Sequence, residues 1–401
     1  MKKDGALYIC VTPFFPSPNS WRGAYVYDQV KAIERNSDYK VLVFKPGAED
    51  YEFDGIHVYG FKEIVMPSYI FNGFTNSYND KLFIKRIHSL GLDVNQIAIV
   101  HCHSCMNGSY GLVLKKINPN IKVLLQHHNI DTLLVVNGKF ADWKLNNHYR
   151  ARKAIDIFNR VDVHVCISEP VKESLLAFPK ARVAETYEPY LKRMSQLADL
   201  PSVKPKKIIV LNNGVDTKEF NKGESRKTDE DIYRIGCIAN FQPLKDHLTL
   251  IKAFEKLINK GYKKIILSLL GTGETKQECM EYVESHGLKE YVEWPTEVYH
   301  EELPAYYQSL DLFVLPSIFE GFGCVYTEAY ACGVPFIGVM GQGAEEVIMH
   351  NERSNWLIKP HDIDNLAILI ERQYINRNRQ NLCKSINIDD LVKDFLKEIE
   401  K

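Results

Sequence analysis

The chain has 401 residues, with 50 lysines and arginines against 51 aspartates and glutamates, a net charge of −1. Hydrophobic residues make up 45% and charged residues 25%, the balance of an ordinary globular protein with room for two or three domains. This excludes a strongly basic nucleic-acid binder, and no apolar run approaches the roughly 18 residues of a membrane span.

The N-terminal stretch MKKDGALYICVTPFF holds two lysines and a short apolar run broken by Pro13. It reads as a first strand and not as a leader. Nine scattered cysteines, an odd number, suit free thiols in a reducing compartment. A cytoplasmic protein is expected, with peripheral contact at the inner face of a membrane left open. Further strands rich in valine and isoleucine follow: YKVLVFKPG, IAIVHCHS, IKVLLQHHNID, VDVHVCISE and KIIVLNNGVD. Amphipathic segments such as AYVYDQVKAIER lie between them, and such alternation implies parallel sheet with helices on both faces. The pattern pauses over residues 184–207, a polar stretch with Pro189, Pro201 and Pro205. It then resumes with YRIGCIANF, KKIILSLLGTG, YVEWPTE, DLFVLPS, VPFIGVMG and NWLIKP. The tail IDDLVKDFLKEIEK has helical apolar spacing, with Asp389 or Asp390 as its cap. The expected fold is α/β, two facing doubly wound Rossmann-like domains with a deep cleft. One covers residues 1–205 plus the C-terminal helix at 384–401, the other residues 206–383.

In such sheets ligands bind at the carboxyl ends of strands. The stretch PSIFEGFGCVYTEAYACGVPFIG, residues 316–338, has that form: a buried strand, a glycine turn, then a helix. Gly321 and Gly323 permit close backbone approach, and a helix start favours an anion. Glu320 in the turn and Glu328 inside the helix are too far apart for one atom. They suit hydroxyl groups at two ends of one ligand. HCHSC at 101–105 has half the spacing of a zinc site, but strand alternation sends neighbours to opposite faces. A strand end is the favoured reading. The basic segment HYRARKAIDIFNR, residues 148–160, keeps two readings: a solvated amphipathic helix, which is favoured, or contact with anionic lipid.

Glu320, Gly321-Phe322-Gly323 and Glu328, followed by AYACGVPFIG, resemble the donor-site signature of retaining glycosyltransferases of family four, GT-B fold. NNGVD at 212–216, QHHNIDT with His128 and Asp131, CISE at 166–169 and LLGTG with Gly271 resemble other family segments, in order along nearly the whole chain. The resemblance implies that the second domain binds a nucleotide-diphosphate sugar, UDP- or GDP-linked, and the first a saccharide or lipid-linked saccharide acceptor. It makes Glu328 a ribose ligand and sets Glu320 against the transferred sugar. It gives the amides of Gly321, Phe322 and Gly323 to sugar or phosphate oxygens. Glu297 and Val298 would meet the base. His128 would sit near the sugar, with His103 and Asp131 on the acceptor side. Lys245 would grip the diphosphate, and Glu320, His128 and Lys245 would be the catalytic set. Asn240 stands where the family often has a second cation. Arg22 beside Gly23, after the first strand, is the candidate to replace it. Front-side transfer with retention, no metal and no cofactor are expected, in surface polysaccharide synthesis. Two alternatives use the same fold: a nucleotide-sugar epimerase or phosphorylase, and a non-catalytic binding partner. A nicotinamide-dependent oxidoreductase would need a Gly-x-Gly-x-x-Gly turn, which VTPFFPSPNSWRG lacks.

Overall fold

The computed structural model describes residues 5–65, 73–128, 135–136, 139–140, 144–179, 197, 199–223, 232–295, 298–377 and 384–401. The chain divides into two compact units, residues 1–213 with 388–401, and residues 214–387.

The first unit contains strands β1 (Leu7–Val11), β2 (Lys40–Pro46), β3 (Tyr51–Phe53), β4 (Ile56–Phe61), β5 (Ile97–His103) and β6 (Lys122–His127). A two-stranded ribbon, β7 (Val135–Val136) and β8 (Lys139–Phe140), precedes β9 (Val163–Cys166) and β10 (Ile208–Val210). Eight of these form one sheet in the order β10-β9-β6-β5-β1-β2-β4-β3, parallel except for the β3–β4 hairpin. Every residue of β1 is buried, as expected for a strand covered on both faces. Its helices are α1 (Ala24–Asn36), α2 (Asn76–Ser89), α3 (Gly108–Ile117), α4 (Lys144–Arg160) and α5 (Glu169–Ala177). Ser168, from the CISE segment, caps α5 by accepting from the Val171 amide at 3.2 Å.

Three features differ from the sequence reading. Strand β10 pairs with β9, so the first unit runs on past 205 to residue 213. The hairpin was not among the strands read from the sequence. Its Asp54-Gly55 turn, at φ 43° and 75°, is nonetheless a hairpin signal. The C-terminal helix starts at Ile388, so Asp389 and Asp390 occupy its first turn instead of the cap. There Asp389 accepts from Arg35 Nε at 3.0 Å and from the Asn36 amide at 2.8 Å. The apolar stripe of this helix, Val392, Phe395, Leu396 and Ile399, joins Ala32 and Ile33 of α1 in a core over Tyr8, Ile99 and Leu124.

The second unit contains the parallel strands β11 (Tyr233–Ile238), β12 (Ile265–Leu270), β13 (Val292–Glu293), β14 (Leu312–Val314), β15 (Phe336–Val339) and β16 (Leu357–Ile358). Their order is β13-β12-β11-β14-β15-β16. Helices α6 (His247–Asn259), α7 (Lys276–Ser285), α8 (Leu303–Gln308), α9 (Cys324–Ala331), α10 (Ala344–Val347), α11 (Arg353–Trp356) and α12 (Ile363–Asn376) complete it, and the C-terminal helix becomes α13 (Ile388–Glu400). The alternation that marked these strands in the sequence is therefore that of βα units. Among the described residues, no helix is long and apolar enough to cross a membrane.

Candidate active site

In the second sheet, β12 and β13 lie on one side of β11, and β14 to β16 on the other. Crossovers therefore diverge between β11 and β14, where an open α/β sheet holds its ligand. The loop after β11 brings Lys245 to this point, on a short 3-10 turn at Pro243–Lys245. The loop after β14 brings Glu320. The Lys245 ammonium and the Glu320 carboxylate form an ion pair there.

Both loops are strapped by hydrogen bonds to their backbone carbonyls. The Ile318 amide and the Ser317 hydroxyl donate to the Leu244 carbonyl, at 2.8 and 2.9 Å. Gln342, after β15, donates its amide to the carbonyls of Ser317 and Ile318, each at 2.8 Å. The Tyr326 hydroxyl donates to the Leu315 carbonyl at 2.8 Å. Such a loop is set before any ligand arrives, which lets fixed charges stabilise a reaction without reorganising. Gly323 occupies the N-cap of α9 at φ 83°, with no side chain capping the helix. Gly321 precedes it. Phe322 is buried, so ligand contact there falls to its main chain.

Glu328, one turn into α9, accepts from the Tyr307 hydroxyl of α8 at 2.8 Å. Burial raises its carboxyl above the usual range. The Tyr307 hydrogen bond and the His300 ring oppose this, and Glu219 adds to it. Tyr307 carried no signal in the sequence, because only the packing of α8 on α9 aligns the two residues.

Gly271 follows β12 at φ 148°, a conformation suited to glycine. A Cβ there would lie 2.0 Å from the Ala239 carbonyl oxygen. Gly271→Ala is therefore expected to lower the melting temperature of the second unit by several degrees, since backbone strain of this kind costs about 1–3 kcal/mol before the clash is counted. An unchanged melting curve would refute the assigned turn. Asn240 is exposed and supplies only its carbonyl, which accepts from the Gln242 amide at 2.9 Å. The cation missing at Asn240 has a nearby counterpart in Lys276, which the sequence reading did not single out. Its ammonium donates to the Gly271 carbonyl at 2.9 Å and lies 5.5 and 5.9 Å from the ring centres of Phe241 and Trp294. Val298 is partly buried, and Glu297 lies outside the described residues.

In the first unit the sheet reverses between β1 and β5. Gly23 starts α1 at φ 96° because its backbone is pressed on the loop after β1. A Cβ there would lie 2.5 Å from the Phe14 carbonyl. Arg22 is exposed, with its guanidinium 5.2 Å from the Phe14 ring centre. His103, at the end of β5, is buried, and its Nδ1 shares a hydrogen bond of 3.0 Å with His128 Nε2. His128 also meets the Tyr25 ring at 4.8 Å. Burial pushes the His128 imidazole down to about 3, so it is neutral at physiological pH. Asp131 lies outside the described residues. Among the described residues, no group of three or more His, Cys, Asp or Glu side chains is arranged to hold a metal ion.

The comparisons with known proteins bear on the family and the fold. Residues 23–186 match the family model "Glycosyltransferase Family 4", and residues 217–388 match "Glycosyl transferases group 1". The chain belongs to the family-four glycosyltransferases of GT-B fold. It is 27% identical to a GDP-mannose-dependent alpha-(1-6)-phosphatidylinositol monomannoside mannosyltransferase of Mycobacterium tuberculosis, over 41% of this chain and 46% of that protein. The match thus spans about half the length of that relative. Among solved structures, sucrose-phosphate synthase of Thermosynechococcus elongatus superposes with a TM-score of 0.68 at 16% identity, covering 98% of this chain and 94% of the other. Anabaena HepE, crystallised with UDP, gives 0.64 at 15%, covering 98% and 95%.

Proposed function

We propose that this protein is a retaining hexosyltransferase that uses a nucleotide-diphosphate sugar. The observation that carries the reading is the Lys245–Glu320 pair set at the β11–β14 crevice, with Glu328 one helix turn beyond it. In this reading the second unit binds the donor. Glu328 takes the ribose hydroxyls, and Tyr307 orients its carboxylate. The amides from Gly321 to Gly323 and the start of α9 take sugar and phosphate oxygens. Lys245 turns to the diphosphate, and Glu320 is released to a hydroxyl of the transferred sugar. Lys276 supplies the second cation near the phosphates. The first unit takes the acceptor, a glycan or lipid-linked saccharide, in surface polysaccharide synthesis.

The reaction breaks the bond between the anomeric carbon and the diphosphate oxygen. It forms a bond from an acceptor oxygen on the same face. The acceptor proton passes to the departing phosphate. Negative charge grows on that phosphate in the transition state, where positioned cations lower the barrier. His128 is a neutral hydrogen-bonding group of the first unit in this reading. The reading assigns charge stabilisation to lysines and amides without a metal, so turnover is expected to survive chelation by EDTA.

The relative named above takes GDP-mannose and the fold neighbour holds UDP, so the base is to be determined by binding. Calorimetry with UDP, GDP and ADP and their sugars is expected to show one preferred nucleotide. Glu328→Ala should weaken it roughly 10- to 100-fold, the scale of charge-assisted hydrogen bonds. Tyr307→Phe should weaken it less. If no nucleotide binds the wild-type protein, the donor site fails. The non-catalytic reading, which the neutral Asn240 favours, then takes its place.

A further inference from the structure

Among the described residues, five that are not glycine adopt a positive φ, a conformation uncommon for any residue with a side chain. Two of the five touch. Asp246 stands at φ 49° and His361 at φ 60°, and His361 Nδ1 lies 2.7 Å from Asp246 Oδ2. Such backbone persists where its surroundings hold it, and it gathers at functional sites.

Asp246 directly follows Lys245. It closes the 3-10 turn Pro243–Lys245 and stands at the N-cap of α6. An aspartate at a helix start usually has extended backbone and accepts from the helix amides. Asp246 does neither, and no side-chain bond caps α6. Its carboxylate is 12% exposed, accepts from the Thr249 hydroxyl at 2.7 Å and faces His361.

His361 lies between β16 and α12. The start of α12 is capped by the next residue, Asp362, which accepts from the Asn365 amide at 3.0 Å. The His361 side chain is 57% exposed, so burial does not account for it. Glycine would make this turn at less cost. What the imidazole adds is the contact with Asp246.

The Lys245 turn is thereby held at both ends. On one side the Leu244 carbonyl accepts from the Ile318 amide and the Ser317 hydroxyl. On the other side Asp246 is held by Thr249 and His361. The first strap comes from the loop after β14 and the second from the loop after β16. Loops after three parallel strands thus converge on one lysine.

We infer that Asp246 and His361 are positioning residues for Lys245: their contact fixes the left-handed backbone that aims this lysine. The inference rests on the proposed donor site, in which Lys245 grips the diphosphate. Both residues act through the turn and not on the ligand. A displacement of about 1 Å in a positioned group is enough to be costly.

The test is calorimetry with whichever of UDP, GDP and ADP the wild-type protein prefers. His361→Gly keeps the backbone conformation and removes the contact. It should weaken nucleotide binding about 5- to 10-fold, part of the roughly 10- to 100-fold that a charged hydrogen bond is worth. The melting temperature should hold or rise, because glycine suits this φ. Asp246→Gly should act in the same way. His361→Asn should restore the affinity, since asparagine tolerates the left-handed region and carries a donor nitrogen at the branch position of Nδ1. In a Lys245→Ala background, His361→Gly should cost nothing further, because the group it positions is gone. Wild-type affinity in His361→Gly, or an equal loss with and without Lys245, would overturn the inference. So would a loss that follows a lowered melting temperature and that asparagine does not restore, which would make the contact a general support of the fold. These outcomes leave the donor site standing. Failure of the wild-type protein to bind any of the three nucleotides refutes the donor site, and the inference with it.

Discussion

Lys245→Ala is expected to lower kcat by roughly 10²- to 10³-fold, the loss typical when one fixed group that stabilises transition-state charge is removed. Two effects combine. The departing diphosphate loses its nearest cation in the proposed site. Glu320, whose side chain is only 13% exposed, also loses its partner and presents an uncompensated negative charge to the phosphates. Nucleotide affinity should therefore fall as well. Glu320→Gln separates the two effects. It leaves Lys245 in place and removes the repulsion, so it should retain nucleotide affinity while lowering turnover. In the double variant, affinity should lie above that of Lys245→Ala alone, since the unpaired carboxylate is gone. Lys245→Arg should restore part of the rate, because charge is kept while the geometry changes. Steady-state rates and calorimetry on these four variants give the cycle. Additive losses would mean that the two residues do not act together at the site.

The first unit is expected to lose stability steeply as the pH falls below about 6.5, the ordinary histidine value. Five histidines pushed down by burial account for this, His128 among them. The Tyr8 hydroxyl shares a hydrogen bond with His101 Nδ1 at 2.6 Å, and His127 Nε2 shares one with His164 Nδ1 at 2.8 Å. Burial pushes His101 to about 3 and His164 to about 4, and it holds His103 and His127 well below their ordinary value. The folded pKa is depressed in each case. The unfolded chain therefore takes up these protons from about pH 6.5 downward, while the folded chain resists them well below that pH. Stability is intact above that window and is lost through it. Five such groups correspond to about 7 kcal/mol per pH unit at most, against a total stability of about 5–15 kcal/mol. Lowered carboxyls of Asp50 and Asp162 push the same way at more acid pH, and raised carboxyls of Glu63 and Asp80 oppose it. Urea titrations between pH 7.5 and 5 should show the loss, with uptake of up to five protons. A flat stability over that range would refute the assignment.

Much of the proposed donor site was legible in the sequence because it is local. Glu320, the glycine turn and Glu328 sit within one strand-turn-helix segment, where spacing along the chain sets spacing in space. Lys245 was found by resemblance, and its meeting with Glu320 required the strand order that places β11 beside β14. Lys276 and Tyr307 were not legible. Each acts through a partner distant in the chain, the one through Phe241 and Trp294, the other through Glu328. His103 was read as a residue lining the acceptor. The structure buries it and joins it to His128, a distinction that depends on how β5 and β6 are covered.

The sequence by itself determined the class of fold, two α/β units with a C-terminal helix returning to the first. It did so because alternating buried strands and amphipathic helices impose their own periods. It also determined the chemical types at the glycine turn. Tertiary structure alone decided where the first unit ends, since only pairing with β9 gives β10 its place. It alone aligned Tyr307 with Glu328 and Lys276 with Phe241 and Trp294. The physical reason is common to both. A side chain's neighbours across elements follow from strand order and helix packing, which no single segment encodes.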